Sequence, residues 1–154
     1  MDLVILCGLQ ASGKSTYRAR TFDATHVVVS KDLMGRDRRS GMNKSMRQEL
    51  KIREALGEGR SVVVDNTNPA DEDRAPLIAI GREYSARVLG YYFRSTWEQS
   101  LARNALRVGK ARVPYVALAY TSKRLVVPSL SDGFDELYEV SWGEGGTFLE
   151  ARAG

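Results

Sequence analysis

Cysteine and histidine are almost missing from this chain: Cys7 is the single thiol and His26 the single imidazole among 154 residues. One thiol cannot close an internal disulfide, which sets aside disulfide-stapled secreted scaffolds and points to a reducing, cytoplasmic setting. His26 has no metal-ligating partner at suitable spacing, so a surface or capping role is expected for it. Long apolar runs are lacking too. The N-terminal run from Leu3 to Leu6 stops at Gly8, too short for a membrane span or a signal peptide, and no membrane partner is expected. There is no internal repeat and no low-complexity segment.

With 43% apolar residues, the chain has material for one domain with a single core. The net charge of +4 is modest but unevenly spread. Arg94, Arg103, Arg107, Lys110, Arg112, Lys123 and Arg124 face only Glu98 between residues 94 and 124, whereas residues 130 to 154 carry six acids against Arg152. A second basic cluster holds Lys31, Arg36, Arg38, Arg39, Lys44 and Arg47. Two basic segments fit a polyanionic ligand as well as they fit a solvated surface.

Short runs rich in Val, Leu and Tyr, "LVILC", "HVVVS", "SVVVD", "ARVLGYYF" and "ELYEVSW", read as strands. Helical stretches separate them at Lys14 to Thr21, about Asn43 to Leu56, about Asp71 to Tyr84, Thr96 to Arg107, and from Pro114 to about Leu125. The alternation predicts an α/β fold, a mostly parallel five-stranded sheet with helices on both faces. Consecutive apolar positions within a strand agree, because a strand buried on both sides need not alternate. Residues 1–142 form one expected domain, and the tail at 143–154, "GEGGTFLEARAG", reads as loosely held.

The strongest local signal is "GLQASGKST", residues 8 to 16, directly after the first strand and opening the first helix. Its G-x-x-x-x-G-K-S spacing lets backbone N–H groups from Gly8, Gln10, Ala11, Ser12 and Gly13 turn inward around phosphate oxygens, helped by the positive end of the helix dipole. Lys14 is expected at the β and γ phosphates, Ser15 on Mg²⁺, and Thr16 at the α-phosphate. A nucleoside triphosphate is therefore the expected ligand. No NKxD-like guanine motif is present, and no acidic strand followed by Glu as in large ATPases, which leaves a small phosphotransferase with a P-loop kinase fold.

A phosphotransferase needs a second substrate facing the γ-phosphate, at the carboxyl ends of neighbouring strands. Two strand tips compete for it. "HVVVS" ends in Lys31 and Asp32, and Asp32 is placed to accept a proton from an attacking hydroxyl, unless it is a helix cap or an ion-pair partner. "VVVDNTNP" ends in Asp65, with Thr67 and Asn68 as small polar groups before Pro69, or else forms a simple turn.

"GLQASGKST", "SKD", "VVVDNTNPAD", "ARNALR" and "VPYVALAYTSKRLVVPSLSDGFDELYEV" occur in an order that resembles the kinase domain of polynucleotide 5′-hydroxyl kinases, of both the phage and the mammalian repair type. The similarity runs to about Trp142. It implies transfer of the γ-phosphate of ATP, or another NTP, with Mg²⁺, to a 5′-OH end of DNA or RNA. It implies Asp32 as general base beside Lys14 and Ser15, Arg107 as a lid arginine stabilising the transferred phosphoryl group, and Arg103 as its companion near the nucleotide. The lid would span about residues 103–114. The same resemblance assigns the acceptor to Asp65, Thr67, Asn68 and Val113.

Two departures bear on the acceptor. Lys31 stands where family members often have arginine, a point charge in place of a bidentate fork. Gly35 stands where the phage type has a phosphate-binding arginine, with Arg36 one step later. No DxDxT motif accompanies these segments, so 3′-phosphatase activity is not expected. A small-molecule kinase of the same architecture, or a non-catalytic ATP-binding module, remains the alternative.

Overall fold

A computed structural model describes residues 1–153 other than Arg36 and Arg38. Strands β1 (Asp2–Cys7), β2 (Val27–Val29), β3 (Val62–Asp65), β4 (Arg87–Phe93), β5 (Glu136–Trp142) and β6 (Phe148–Arg152) form one sheet in the order β2-β3-β1-β4-β5-β6. The first five are parallel and β6 runs antiparallel to β5. Helices α1 (Lys14–Thr21), α2 (Lys44–Gly57), α3 (Asp71–Glu83), α4 (Trp97–Ala105) and α5 (Tyr115–Arg124) complete the P-loop kinase fold.

The central strand explains the layering. Leu3, Ile5 and Cys7 of β1 face a core built with Ile52, Ala55 and Leu56 of α2 and Leu77, Ile78 and Ile80 of α3. Val4 and Leu6 face the other side, toward Tyr17 of α1, Phe22, Phe93 and Val140. Both faces of β1 are thus dry, and each fully buried aliphatic side chain contributes about 1.5–3 kcal/mol. Local signals set the helix starts: Asn43 caps α2 by accepting from the Met46 N–H at 2.9 Å, and Thr96 and Gln99 form a reciprocal capping box on α4.

The sixth strand is a difference from the sequence-based expectation of five strands and a loose tail. Phe148 stacks on Trp142 with ring centroids 4.2 Å apart and meets Tyr17 edge-on at 5.2 Å, while Tyr17 donates to Glu150. Only Phe148 among these strand residues is even half-buried, so the segment carries little apolar pattern of its own. Its order comes from pairing with β5.

Parallel strands bring the carboxyl ends of β1, β2 and β3 to one rim. The register aligns Leu6 with Asp65 and Val29 with Val64. The loops after these strands share that rim, where open α/β sheets bind ligands.

Candidate active site

At the end of β1 the chain turns through Gly8 to Gly13 and enters α1. Gly13 has φ +101°, and a Cβ there would lie 2.9 Å from the Trp142 ring, so both backbone shape and space call for glycine. Lys14 folds back over the loop: its Nζ donates to the carbonyls of Gly8 at 2.9 Å and Leu9 at 2.5 Å. Burial pulls the ammonium down to about 8, and the Asp65 carboxylate opposes the shift only in part. A triphosphate entering this loop would restore favourable charge to that ammonium.

Ser15 donates from Oγ to Asp65 Oδ2 at 2.9 Å, and Arg18 Nη1 donates to the same oxygen at 2.9 Å. The Leu6 to Asp65 register causes this, since it sets the tip of β3 beside the first turn of α1. Asp65 therefore lines the phosphate cleft with Lys14, Ser15, Arg18, Asp32 and Arg107. It is not among the residues lining the larger cavity that opens beside this cleft.

That phosphate cleft measures about 500 Å³, and beside it opens a second cavity of about 760 Å³. Asp32, Gln10, Asn66, Thr67, Lys110 and Val113 line both. Asp32 sits in the single 3₁₀ turn Lys31–Leu33 after β2, and the ion pairs among the described residues do not use it. A carboxylate at the boundary of the two spaces can touch a hydroxyl in one and face a phosphate in the other.

The second cavity is held in shape by polar links. Asn66 accepts from the Lys31 N–H at 2.9 Å and donates to Gln48 Oε1 at 2.5 Å, tying β2, β3 and α2 together. Thr67 lends its carbonyl to the Gly8 N–H at 2.9 Å. Asn68 lines the cavity, but its amide N–H is engaged by the Leu6 carbonyl at 2.8 Å, and its backbone adopts φ +42°. Behind it lies Arg74, 1% exposed, whose Nη1 donates to the carbonyls of Asn68 and Val126, each at 3.0 Å. Asp71 pairs with its Nη2 at 2.8 Å. One buried guanidinium thus joins the β3 tip to the segment after α5.

The segment expected to form a lid connects α4 to α5. Asn104 holds Val113 by two backbone bonds, accepting at 2.8 Å and donating at 2.7 Å, which keeps Val113 facing both spaces. Arg107 faces the phosphate cleft and donates to Ala111 O at 3.3 Å. Arg103 does not line the cleft; its guanidinium lies on the Trp142 ring 5.0 Å from the centroid. Arg103 Nη1 and Trp142 Nε1 are both buried without a hydrogen-bond partner among the described residues. Gln10 Nε2 donates to Thr121 Oγ1 at 2.9 Å, linking the P-loop to α5. Thr16 is exposed on α1 and lines neither space. Lys31 lines the second cavity, while Arg36 lies outside the described residues.

Sequence reasoning missed Gln48, Asn104 and Arg74 as shaping residues. Gln48 had a signal: it occupies the apolar stripe of α2 with Ile52, Ala55 and Leu56, a polar group where a hydrophobe belongs. Asn104 and Arg74 had none. Cys7, by contrast, is buried as expected, and burial pushes its thiol up to about 12, away from the thiolate that a nucleophile needs.

No cluster of three or more His, Cys, Asp or Glu occurs among the described residues. Ser15 and Asp65 nevertheless offer two hard oxygens at the mouth of the P-loop, which fits Mg²⁺, an ion that keeps waters and takes one or two protein oxygens plus phosphate. Among the described residues no helix is long and apolar enough to cross a membrane.

Comparison with known proteins places the fold. A bifunctional polynucleotide phosphatase/kinase of Schizosaccharomyces pombe is 28% identical over 142 residues, covering 90% of this chain and 33% of that protein. The chain thus spans about a third of its relative's length. Among solved structures, the AvrRxo1-ORF1:-ORF2 complex with ATP superposes with a TM-score of 0.73 at 16% identity, covering 97% of this chain and 57% of that one. A gluconokinase from Sinorhizobium meliloti gives 0.63 at 18% identity, with 91% and 82% covered, and a sugar kinase from Janibacter gives 0.65 at 15%, with 90% and 85% covered. The family model AAA_33, described as an AAA domain, matches residues 3–126. With most of its length inside that match and a P-loop kinase fold around it, the chain belongs to this AAA domain family.

Proposed function

We propose that this protein is a polynucleotide 5′-hydroxyl kinase, moving the γ-phosphate of ATP or another NTP to the 5′-OH end of DNA or RNA. The observation that carries the proposal is the position of Asp32 on the wall common to the phosphate cleft and the larger cavity. The 28% identity to the Schizosaccharomyces pombe polynucleotide phosphatase/kinase supports the choice of acceptor.

Lys14 and the P-loop amides bind the triphosphate, with Ser15 and Asp65 as the residues that would hold Mg²⁺. When bound, that ion neutralises charge on the phosphate oxygens. Asp32 accepts the proton of the 5′-hydroxyl as its oxygen bonds to phosphorus and the bond to the leaving diphosphate breaks. Arg107, on the cleft wall, meets the charge spreading over the transferred group. Thr67 and Val113 border the place where the hydroxyl must lie, and Lys31, Lys110 and Arg112 supply cations for the strand's phosphates.

The test is transfer of labelled phosphate from ATP to 5′-OH oligonucleotides beside a panel of small alcohols including gluconate. Transfer to oligonucleotides, with affinity falling as salt rises, is the expected result. Transfer to the small alcohols alone would end the proposal.

One observation favours a second reading, a small-molecule kinase. Glu49, Glu72 and Asp73 line the larger cavity with Gln48 and Asn66, a set suited to a neutral polyol, and the structural neighbours include a gluconokinase and a sugar kinase. Arg124 offsets part of that acidity by pairing with Glu72 at 3.3 Å and Asp73 at 3.1 Å.

A further inference from the structure

Helix α5 carries an exposed surface at the edge of the larger cavity. Val116, Tyr120 and Lys123 follow at helical spacing of four and three residues, which stacks them on one face. Tyr120 borders the larger cavity yet its residue surface is 63% exposed, and Val116, one turn earlier, is 77% exposed. At the start of the helix Tyr115 is 64% exposed and is braced edge-on by Trp97, with centroids 5.7 Å apart. Buried apolar contact does not explain these side chains.

Cations surround the surface. Lys110 and Arg112, on the connector before α5, line the cavity, and Lys123 follows Tyr120 on the helix. None of the three takes part in the ion pairs found among the described residues. Arg124 lies 5.5 Å from the Tyr120 centroid and holds Glu72 and Asp73, the carboxylates that would otherwise repel a phosphate there.

We infer that this face of α5, continuous with the cavity, binds the nucleotides that follow the acceptor's first one, and binds them as a single strand. An aromatic ring flanked by cations is the arrangement that stacks an unpaired base while its backbone is neutralised alongside. A duplex keeps its base faces against one another and cannot offer them to Tyr120. The inference rests on the polynucleotide reading of the acceptor.

The experiment compares KM and kcat for a nucleoside 3′-monophosphate, a dinucleotide, a hexanucleotide and a blunt-ended duplex, all with 5′-OH, in the full-length protein. The expected result is a KM that falls about tenfold or more from mononucleotide to hexanucleotide while kcat stays level, and a duplex that gains nothing over the mononucleotide. Tyr120→Ala should collapse the ratio between the two single-stranded substrates, and Tyr120→Phe should retain it, since the phenyl face does the stacking. Oligonucleotides phosphorylated with the same KM at every length, an unchanged ratio in Tyr120→Ala, or a duplex matching the hexanucleotide would overturn the α5 surface and leave the polynucleotide reading standing. No transfer to any nucleotide substrate would overturn both.

Discussion

Ser15, in the first turn of α1, and Asp65, at the tip of β3, are fifty positions apart in sequence and joined by a 2.9 Å hydrogen bond. The pair sets two oxygens at the P-loop mouth, and Arg18 shares the carboxylate. Asp65→Asn should raise the Mg²⁺ concentration needed for half-maximal turnover by about 10- to 100-fold. Titration of activity with Mg²⁺ at saturating ATP measures it; an unchanged midpoint would remove Asp65 from the ion's neighbourhood.

Asp32 carries the proposed proton transfer. Asp32→Asn should keep ATP affinity within about twofold and lower kcat by about 10²- to 10⁴-fold, the range for loss of a general base. Nucleotide binding by calorimetry and single-turnover transfer separate the two effects. Normal transfer by the variant would dismiss the base assignment.

Lys14 gives a pH signature in two opposite directions. Its folded value of about 8 lies below the ordinary 10.5, so between those pH values the unfolded chain binds the extra proton. This group then makes the ligand-free fold more stable as pH rises through that window. Triphosphate binding favours the ammonium, so affinity should fall above about pH 8, approaching tenfold per pH unit. Calorimetry at pH 8.5 in buffers of different ionisation enthalpy should register proton uptake on binding; none would contradict the depressed lysine.

Arg107 and Arg103 should separate on mutation. Arg107 lines the phosphate cleft, whereas Arg103 rests on Trp142. Arg107→Ala should reduce kcat by about 10³-fold or more, in the range of an arginine finger, and Arg103→Ala should act more weakly and mainly on the KM for ATP. Equal losses in kcat would show that the two act on the phosphoryl group together.

Arg74 tests the frame behind the larger cavity. Arg74→Met would leave the Asn68 and Val126 carbonyls without their shared donor. Unfolding free energy should drop by about 3 kcal/mol, read from the urea midpoint at unchanged slope. A loss below about 0.5 kcal/mol would mean that other donors or water replace the guanidinium.

Several of these residues were legible in the sequence. The P-loop announced itself because strand, glycine turn and helix are contiguous, and local backbone physics suffices to shape them. Asp32 was legible as a carboxylate at a strand tip. Asp65 was legible as a strand-tip carboxylate, but only the parallel register of β1 and β3 shows that it faces Ser15. Strand β6 escaped notice because four of its five residues are exposed, leaving no alternation to read.

By itself, the sequence determined the α/β alternation, the phosphate loop and the candidate base, since each depends on residues within a few positions of one another. Tertiary structure alone decided that Asp32 borders both cavities, that Arg74 joins the β3 tip to the segment beyond α5, and that Trp142 comes to rest against Gly13. Those relations depend on strand order and side-chain packing between segments distant in the chain, and no local spacing encodes them.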